Sequence, residues 1–431
     1  MDITVKKSTA SSDVLQAISS KSYVHRLLIA AGLCDSKISV DTNIISNDMQ
    51  ATKDALDVIK AGGADPVIDA KESGSTARFL LPLAALLCDR ATMTGSGKLP
   101  ERPMGPLCDV LRAAGVSVSA DHLPITVSGR PHPGNYQIAG NVSSQFISGL
   151  LFMLPLLEGD SLLTVTGTLE SASYVEMTLD VLDRFGIVIQ KCADGFSIPG
   201  GQKYRLADGA DQTIRAEGDW SNGAYIMAIA ALASGTLFDS FTVYGLNPDS
   251  LQGDRAIVDI LGQFGSDVKT VRGRDAFSSR IVISSPPVNP VEVDCSQIPD
   301  LVPALAVLAA YSGSVCTFYN VERLRLKECD RIEAVSEMLA AVNVKVDITS
   351  HDGHEDMCVH GRSMHDPACH PTEPVRIRSF NDHRIVMAAT ALSVAGNCPV
   401  TIEQAEAVRK SYPGFFDDVK KMGVDICDQQ I

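Results

Sequence analysis

Short polar segments alternate with dense runs of apolar residues along the chain, and six of these transitions share one form. In each, residues that favour a helix N-terminus are followed at once by an apolar run. Because the runs are apolar on all sides, each predicts a mostly buried helix. The polar openings are Ser20-Lys21-Ser22, Ser73-Gly74-Ser75-Thr76, Ser143-Ser144-Gln145, Asp219-Trp220-Ser221-Asn222, Pro299-Asp300 and Asn381-Asp382-His383-Arg384.

A second, more amphipathic series of helices is interleaved with the first. Each ends at a glycine or asparagine, and strand-like residues such as 116–118 and 187–189 follow. Both series recur at intervals of roughly fifty to eighty residues, which predicts six copies of one unit with a buried helix, an exposed helix and short strands. The predicted stops are Gly63, Gly115, Gly186, Gly265, Asn343 and Gly423.

The repeat also divides the chain. A length of 431 residues exceeds what one core usually holds, so two lobes of three units each are expected. The midpoint falls near Ala216-Glu217-Gly218, between the third and fourth units. No long linker rich in proline, glycine or serine marks this point, so the predicted hinge is short.

The most highly charged segment runs from Arg323 to Arg331 and holds four cations and two acids within nine residues. A helix is predicted to begin near Lys327, which would place Lys327 and Arg331 one turn apart with Glu328 beside them. A helix start adds free N–H groups and a positive dipole end, which suit a phosphate or carboxylate. Taken alone, the segment is more typical of a solvated, salt-bridged helix start.

Other cations lie at the starts of the predicted buried helices, where packing has little use for them. Lys21 and Arg26 open the first, Arg78 follows a glycine-rich turn, Arg102 precedes a helix, and Lys410 precedes the last helix. Each alone also fits a surface cation or a snorkelling side chain. Together they predict a positive pocket for small polyanions. No Walker-type or G-x-G-x-x-G motif supports nucleotide binding.

The composition of the chain limits the kinds of partner that it is expected to bind. The chain has 37 basic and 52 acidic residues, a net charge of −15, which argues against nucleic-acid or anionic-membrane binding. The longest apolar runs are too short to span a bilayer, and the first residues lack signal-peptide character. The eleven cysteines form no C-x-x-C pair, so neither disulfides nor a zinc ribbon is indicated and a cytoplasmic location is expected.

One polar region, residues 350–374, contains several histidines. Without an H-E-x-x-H or H-x-H pattern, a solvated loop is favoured over a metal site. The histidines are His351, His354, His360, His365 and His370.

At this point the motifs, taken in order, resemble the 5-enolpyruvylshikimate-3-phosphate synthase family, also called 3-phosphoshikimate 1-carboxyvinyltransferase, over essentially the whole chain. Besides the helix openings above, they include Glu101-Arg102-Pro103-Met104, Ser171-Ala172-Ser173-Tyr174, Glu217-Gly218-Asp219, Gln252-Gly253-Asp254, Lys327-Glu328-Cys329-Asp330-Arg331 and Lys410-Ser411-Tyr412-Pro413. The resemblance implies an α/β fold of two lobes, each an inverse α/β barrel of three units, with helix N-termini facing an interdomain cleft. It also implies two crossings, with residues 19–217 as the first lobe and residues 1–18 plus 218–431 as the second.

The resemblance further implies an addition–elimination reaction that transfers the enolpyruvyl group of phosphoenolpyruvate to the 5-hydroxyl of shikimate-3-phosphate and releases phosphate, in the shikimate pathway to chorismate and aromatic amino acids. Asp300, Glu328 and Lys21 are the implied catalytic groups, with Asp300 near the hydroxyl and Glu328 near the methylene carbon. The order of their proton transfers stays open. The first lobe would mainly bind shikimate-3-phosphate, and the second would hold phosphoenolpyruvate and catalytic groups. No metal or organic cofactor is implied, and a monomer is expected.

Each substrate has an implied set of contacts. Shikimate-3-phosphate would be bound by Lys21, Ser22, Arg26, Ser143, Ser144, Gln145, Ser171, Tyr174, Asp300 and Lys327. Phosphoenolpyruvate would be bound by Lys21, Gly74, Arg78, Arg102, Gln145, Arg331, His383, Arg384 and Lys410.

Two positions depart from the family pattern, since Glu72 and Arg323 stand where asparagine is common. They leave local detail open, including the response to the inhibitor glyphosate. Two alternative functions remain. One is enolpyruvyl transfer to UDP-N-acetylglucosamine, whose enzymes usually have Lys-Asn where this chain has Lys21-Ser22. The other is a non-catalytic anion-binding homologue.

Overall fold

The structure is a computed structural model, and it describes residues 1–207, 212–363, 366, 373–396 and 398–428. The chain forms two compact units. The inserted unit is Lys21–Ala216, and the split unit is Met1–Ser20 together with Glu217–Ile431. The unit boundaries therefore lie between Ser20 and Lys21 and between Ala216 and Glu217.

Helices alternate along the chain between buried and half-exposed. Those of the inserted unit are α1 (Lys21–Gly32), α2 (Asn47–Ala61), α3 (Gly74–Leu87), α4 (Gly105–Ala113), α5 (Ser144–Met153) and α6 (Ala172–Arg184). Those of the split unit are α7 (Trp220–Ala233), α8 (Ile257–Gln263), α9 (Val302–Ala310), α10 (Arg331–Ala340), α11 (His383–Gly396) and α12 (Phe415–Lys421).

The strands are short. They are β1 (Ile3–Lys7), β2 (Val14–Gln16), β3 (Ser39–Asp41), β4 (Val67–Asp69), β5 (Arg90–Thr94), β6 (Ser117–Val118), β7 (Ile125–Ser128), β8 (Asn135–Ala139), β9 (Ser161–Thr166), β10 (Gln190–Cys192) and β11 (Gly195–Ile198). They continue with β12 (Thr213–Arg215), β13 (Phe241–Tyr244), β14 (Asp267–Val271), β15 (Arg280–Ser284), β16 (Glu292–Asp294), β17 (Val315–Tyr319), β18 (Lys345–His351), β19 (His354–His360), β20 (Val375–Arg378), β21 (Val400–Glu403) and β22 (Val424–Asp428).

The four-stranded sheets repeat one pattern, in which a parallel pair is extended by two antiparallel pairings. The inserted unit has the orders β4-β5-β7-β6 and β8-β9-β11-β10, and the split unit has β2-β13-β15-β14, β16-β17-β19-β18 and β20-β21-β1-β22. In β4-α3-β5, as in β8-α5-β9, β16-α9-β17 and β20-α11-β21, the buried helix connects the two parallel strands. Outside the four-stranded sheets, β3 pairs in parallel with β12 in a two-stranded sheet.

At each unit boundary, a strand runs directly into a helix of the other unit but pairs with a strand of its own unit. Strand β2 runs directly into α1 but pairs with β13 of the split unit, and β12 runs directly into α7 but pairs with β3 of the inserted unit. The side chain of Gln252 forms hydrogen bonds with residues at both unit boundaries, all of which belong to the split unit. Its Oε1 accepts from Ser20 Oγ at 3.0 Å, and its Nε2 donates to Gly218 O at 2.8 Å and Glu217 Oε1 at 2.7 Å.

The predicted helices are confirmed in both series. All six buried helices follow their polar openings, and every side chain of α7 is buried. All six predicted stops have positive φ, from 60° at Asn343 to 134° at Gly63, because a helix commonly ends in a left-handed residue that glycine and asparagine tolerate. Packing between buried helices is close. A Cβ added to Gly149 of α5 would lie 2.3 Å from the carbonyl oxygen of Arg78 in α3.

Three local predictions are wrong. The helix expected near Lys327 begins at Arg331, because the Asp330 side chain accepts from the N–H groups of Ile332 at 3.0 Å and Glu333 at 3.1 Å and so caps the helix there. Lys327 is extended. The strand expected at 187–189 begins at Gln190.

The polar region 350–374 is the third. Its first residues continue the hairpin of β18 and β19, which side chains stabilise across the strands. His351 Nε2 lies 2.7 Å from Asp356 Oδ2, and His360 Nε2 lies 2.8 Å from Asp347 Oδ2. His365 and His370 lie outside the described residues. Within the described ranges, no three or more His, Cys, Asp or Glu side chains are grouped to hold a metal ion. None of the helices described combines the length and apolar character needed to cross a bilayer.

Candidate functional site

In the inserted unit, the predicted site residues lie at the N-terminal ends of buried helices or just before them. Lys21 and Ser22 begin α1, Gly74 begins α3, and Ser143 caps α5. The helix ends carry unpaired N–H groups and a positive dipole end, which favour anions. We call this group of residues the inserted-unit site.

Arg26 connects α1 to α6 inside this site. Its side chain is 2 % exposed. Its Nε donates to Thr178 Oγ1 at 2.8 Å, its Nη1 to Ser22 O at 2.8 Å, and its Nη2 to Tyr174 O at 2.7 Å. Burial lowers the pKa of Arg26 to about 10, since all three acceptors are neutral. A guanidinium has five N–H groups, so these three bonds leave two for a ligand.

Gln145 connects α5 to α3. Its Oε1 accepts from Arg78 Nη1 at 2.7 Å and its Nε2 donates to Ser75 Oγ at 2.9 Å. Gly74 lies directly against Arg102, because an added Cβ would stand 2.8 Å from Arg102 Nη1. The structure therefore brings together Gly74, Arg78, Arg102 and Gln145, four of the residues that the family resemblance implies for phosphoenolpyruvate.

Lys21 has an acidic partner that the sequence reasoning missed. Its Nζ lies 2.9 Å from Asp48 Oδ2, and both side chains are only 15 % exposed. The signal was an acid in the first turn of α2, after the Ser46 cap. The other predicted serines also lie at helix starts: Ser144 is buried in the first turn of α5, and Ser171, at φ 52°, precedes α6 next to Tyr174.

In the split unit, the predicted residues form a buried network of ions that we call the split-unit site. Asp300 is at its centre. Its Oδ1 accepts from Arg331 Nη1 at 2.8 Å and lies 3.4 Å from Lys327 Nζ, and its Oδ2 accepts from Arg384 Nη2 at 2.9 Å. Burial alone would raise the pKa of Asp300, but the three cations outweigh it and hold that pKa well below its usual value.

Arg331 is the most heavily paired cation of this site. It is 1 % exposed, and besides Asp300 it contacts Glu328 Oε2 at 2.7 Å and Asp382 Oδ2 at 2.7 Å. Burial acts to lower the pKa of Arg331, but the three carboxylates outweigh it and raise the pKa well above its usual value. Arg331 thus holds Glu328 and Asp300, two of the three predicted proton-transfer groups, on one guanidinium.

Arg384 has N–H groups that are available to a ligand. It is 4 % exposed, and its guanidinium carbon lies 5.9 Å from the centre of the Tyr225 ring. Among the described residues, its Nε and Nη1 have no hydrogen-bond acceptor. Since buried guanidinium nitrogens without acceptors are costly, an anion fits here, and a carboxylate could bind the two nitrogens together.

His383 and Lys410, two further predicted residues, lie at the start of α11. His383 is buried in the first turn, with Nδ1 3.8 Å from Asp382 Oδ1. Lys410 is buried, and its Nζ donates to Asn381 O at 2.7 Å. Asp382, which pairs with Arg331, was missed as a functional residue. The signal was its place one residue before the helix, where Oδ1 accepts from Arg384 N at 2.8 Å.

Lys327 is half-buried beside Asp300. Burial lowers the pKa of Lys327 to about 8, Asp300 acts against this, and Arg323 adds to it. An ammonium group with a lowered pKa near a buried carboxylate is typical of an anion-binding or proton-transfer site.

Comparison with known proteins identifies relatives over most of the chain. The family model described as EPSP synthase (3-phosphoshikimate 1-carboxyvinyltransferase) matches residues 5–419. The chain is 38 % identical to the 3-phosphoshikimate 1-carboxyvinyltransferase of Clostridium kluyveri, with 94 % of each chain covered. It is 37 % identical to that of Methanothrix thermoacetophila, with 99 % of each covered.

Solved structures show the same fold. EPSP synthase from Acinetobacter baumannii superimposes with a TM-score of 0.77 at 20 % identity, over 99 % of this chain and 100 % of that one. The enolpyruvyl transferase NikO from Streptomyces tendae superimposes with a TM-score of 0.72 at 15 % identity, over 99 % of this chain and 98 % of that one. The predicted α/β fold of repeated units is confirmed.

Proposed function

The chain belongs to the EPSP synthase (3-phosphoshikimate 1-carboxyvinyltransferase) family, and on that premise we infer that it transfers the enolpyruvyl group of phosphoenolpyruvate to the 5-hydroxyl of shikimate-3-phosphate and releases phosphate. It is a transferase of the shikimate pathway to aromatic amino acids. The observation that carries this conclusion is the family match over residues 5–419. The buried network of Asp300, Arg331 and Glu328 supports it, since it supplies carboxyl groups for proton transfer.

We propose that the inserted unit mainly binds shikimate-3-phosphate. Ser22 and the two remaining N–H groups of Arg26 would contact its carboxylate. The phosphate would lie at the helix starts. The proposed phosphate contacts are Ser143, Ser144, Ser171 and, from the split unit, Lys327. Gln145, Tyr174 and Asp300 would contact the ring and its hydroxyl groups.

Phosphoenolpyruvate would be held mainly by cations. We propose that its phosphate contacts Lys21, Arg102 and Lys410, next to Gly74 and Arg78, with Gln145 and His383 completing its surroundings. For its carboxylate, Arg384 is the better direct contact, because two of its buried nitrogens have no acceptor within the described part of the chain. Arg331 already holds three carboxylates, so it would act mainly by orienting Asp300 and Glu328.

The chemistry balances with these groups. In the addition step, the 5-hydroxyl oxygen bonds to C2 of phosphoenolpyruvate, the hydroxyl loses its proton to a base, and C3 gains a proton to become a methyl group. In the elimination step, C3 loses a proton and the bond from C2 to the phosphate oxygen breaks, which releases phosphate. We propose Asp300 as the group near the hydroxyl and Glu328 as the group near C3, with Lys21 as a third candidate for proton transfer.

The test is release of inorganic phosphate from phosphoenolpyruvate. Release that requires shikimate-3-phosphate is the expected result. Release that requires UDP-N-acetylglucosamine instead would assign the other enolpyruvyl transfer. Binding of both substrates without release would identify a non-catalytic homologue.

We also propose that the protein acts on these small molecules as a monomer in the cytoplasm, and not on nucleic acid or membranes; the net charge of −15 supports the last point. If shikimate-3-phosphate helps to build the second substrate's site, phosphoenolpyruvate should bind more tightly in its presence. Calorimetric titration of phosphoenolpyruvate with and without shikimate-3-phosphate measures this. Equal affinities would exclude such ordered assembly.

A further inference from the structure

A buried network of hydrogen bonds that the proposed chemistry does not use joins the first three helices of the inserted unit. His25 Nδ1 of α1 lies 2.7 Å from Thr52 Oγ1 of α2, which lies 2.6 Å from Thr76 Oγ1 of α3. Thr76 Oγ1 donates to Ser73 Oγ, the cap of α3, at 2.8 Å. None of the four side chains is more than 1 % exposed. We call these four residues the three-helix network.

The hydrogen bonds of the three-helix network all point one way, because a hydroxyl group has a single proton to donate. Thr76 uses its proton on Ser73, so Thr52 has to donate to Thr76. His25 Nδ1 then has to donate to Thr52. Among the described residues, His25 Nε2 is buried and has no hydrogen-bond partner. The orientation of the imidazole ring therefore depends on the hydroxyl group of Thr52.

Helices α1 and α2 are joined a second time, one turn earlier. Lys21 Nζ lies 2.9 Å from Asp48 Oδ2. Lys21 stands four residues before His25, and Asp48 stands four residues before Thr52. Because residues four apart lie on the same face of a helix, the two contacts fix α1 and α2 in one register.

The helices that the three-helix network joins carry proposed contacts of both substrates. On α1, Ser22 and Arg26 are proposed contacts of shikimate-3-phosphate. On α3, Gly74 and Arg78 are proposed contacts of phosphoenolpyruvate. Each hydrogen bond keeps its strength only within a narrow range of length and angle, and a buried network of them fixes one arrangement of the elements that it joins. The network therefore limits how far α1 and α3 can move relative to each other.

We propose that Thr52 and Thr76 are positioning residues for enolpyruvyl transfer, whose hydroxyl groups set the distance between the two bound substrates. The proposal rests on the function proposed above. Both side chains are fully buried, so they act through the helices and not by touching a substrate. Their role is to align the attacking hydroxyl with C2 of phosphoenolpyruvate, where a misplacement of about 1 Å can cost about a hundredfold in rate.

The direct experiment removes the middle hydroxyl of the network. Thr52→Val keeps the shape of the side chain and loses both hydrogen bonds, whereas Thr52→Ser keeps the hydroxyl group. Phosphate release with each substrate varied in turn gives kcat and both KM values. For Thr52→Val we expect kcat to fall about ten- to hundredfold while each KM changes by less than about threefold. Thr52→Ser should restore kcat to within about threefold of the wild-type value.

The matched control is Thr390→Val in α11. Thr390 is fully buried like Thr52, but its Oγ1 donates to Val386 O, within the same helix, at 2.9 Å. Because this bond joins no two elements, the control should keep the wild-type kcat whatever its effect on the urea unfolding midpoint. A purely structural role of Thr52 would give the same result as the control.

The outcomes separate the two proposals. A wild type that releases no phosphate with both substrates overturns the proposed function. With an active wild type, the inference alone is overturned if Thr52→Val keeps the wild-type kcat, with or without a raised KM. It is also overturned if Thr52→Ser is as slow as Thr52→Val, since the loss would then come from packing.

A second variant covers the case in which Thr52→Val does not fold. Thr76→Val removes the next hydroxyl of the network, and the same fall in kcat with little change in KM is expected. A folded Thr76→Val with the wild-type kcat overturns the inference. If neither variant folds, the network is a requirement for folding, and the positioning role is overturned.

Discussion

Two buried arginines show how differently the two units treat positive charge. Arg26 of the inserted unit is 2 % exposed and donates to a hydroxyl and two backbone carbonyls. Arg331 of the split unit is 1 % exposed and donates to three carboxylates. Burial lowers the pKa of Arg26 to about 10, whereas the carboxylates overcome burial and raise the pKa of Arg331 well above its usual value.

This difference in partners indicates which role each site is suited to. A buried cation with neutral partners keeps its charge available, which suits the binding of a polyanion. A buried cation with three carboxylates is neutralised, and its value lies in the acids that it holds in place. In the proposed function, helix starts would therefore provide binding in the inserted unit and groups for proton transfer in the split unit.

The largest expected effect comes from removing one of the acids that Arg331 holds. Glu328→Gln keeps the side-chain shape but cannot exchange a proton, so turnover should fall by about 10²- to 10⁴-fold. Binding of shikimate-3-phosphate should change little, because Glu328 is not among its proposed contacts. Phosphate release and calorimetry measure the two quantities. Turnover close to wild type would remove Glu328 from the mechanism.

The comparison of the arginines themselves is tested by stability. Arg331→Met removes the cation shared by three carboxylates, of which Asp382 is fully buried, and should cost about 3–5 kcal/mol of unfolding free energy at neutral pH. Arg26→Met leaves neutral acceptors unpaired and should cost about 1–3 kcal/mol. Urea unfolding of both variants at one temperature gives these values. Equal losses of unfolding free energy would mean that stability does not depend on whether the partners of the buried arginine are charged or neutral.

The pH dependence of that loss has a definite sign. The cations hold the pKa of Asp300 well below its unfolded value, so its contribution to stability is present above the unfolded pKa and is lost as pH falls through the folded pKa. Without Arg331 that contribution is reduced. The deficit of Arg331→Met should therefore be largest near neutral pH and should shrink in acid.

How much of this difference between the units could be predicted from the sequence depends on whether the signal is local or comes from residues far apart in the chain. The buried helices were predictable, because a capping residue followed by an apolar run is a local signal, as at Ser73 and Ser143. The grouping of Lys21, Arg78 and Arg102 at helix starts was visible for the same reason. Their roles required a resemblance to a known family.

The partners of these cations were not predictable in the same way. Asp48 and Asp382 are ordinary acids in sequence, and only the tertiary structure places them beside cations. The helix start near Lys327 was misplaced even though a local signal existed, since Asp330 stands three residues before Glu333 in the pattern of a capping box. The run of charges obscured that signal.

A smaller effect tests whether packing, more than ion pairing, stabilises the inserted unit. In Gly149→Ala the new methyl group would meet the backbone of α3 at 2.3 Å, which cannot move aside easily, so we expect a loss of about 1–3 kcal/mol. The control is Gly223→Ala in α7, where the atoms nearest to the new group would be those of the flexible Leu246 side chain, at 3.4 Å. That variant should be close to neutral, because alanine favours a helix more than glycine does. Equal unfolding midpoints for the two variants would contradict the close backbone packing of α3 and α5.

The smallest expected effect is a difference between the two units in how ligand binding depends on pH. Burial lowers the pKa of Lys327 to about 8, whereas the pKa of Arg26 stays at about 10. A phosphate bound by the Lys327 ammonium should therefore bind about fourfold more weakly at pH 8.5 than at pH 7, since the protonated fraction falls by that factor. Stability should move the opposite way: the unfolded lysine binds more protons between pH 8 and its ordinary pKa near 10.5, so this group makes folding more favourable as pH rises.

Calorimetry of shikimate-3-phosphate between pH 7 and pH 9 checks the binding half of this prediction, with Lys327→Arg as the matched control. Arginine keeps its charge throughout this range, so the variant's affinity should not vary with pH even if it is weaker overall. A wild-type affinity that is equally constant would place the phosphate away from Lys327. Binding would then depend on the inserted unit, where the buried cation Arg26 stays charged at every pH tested.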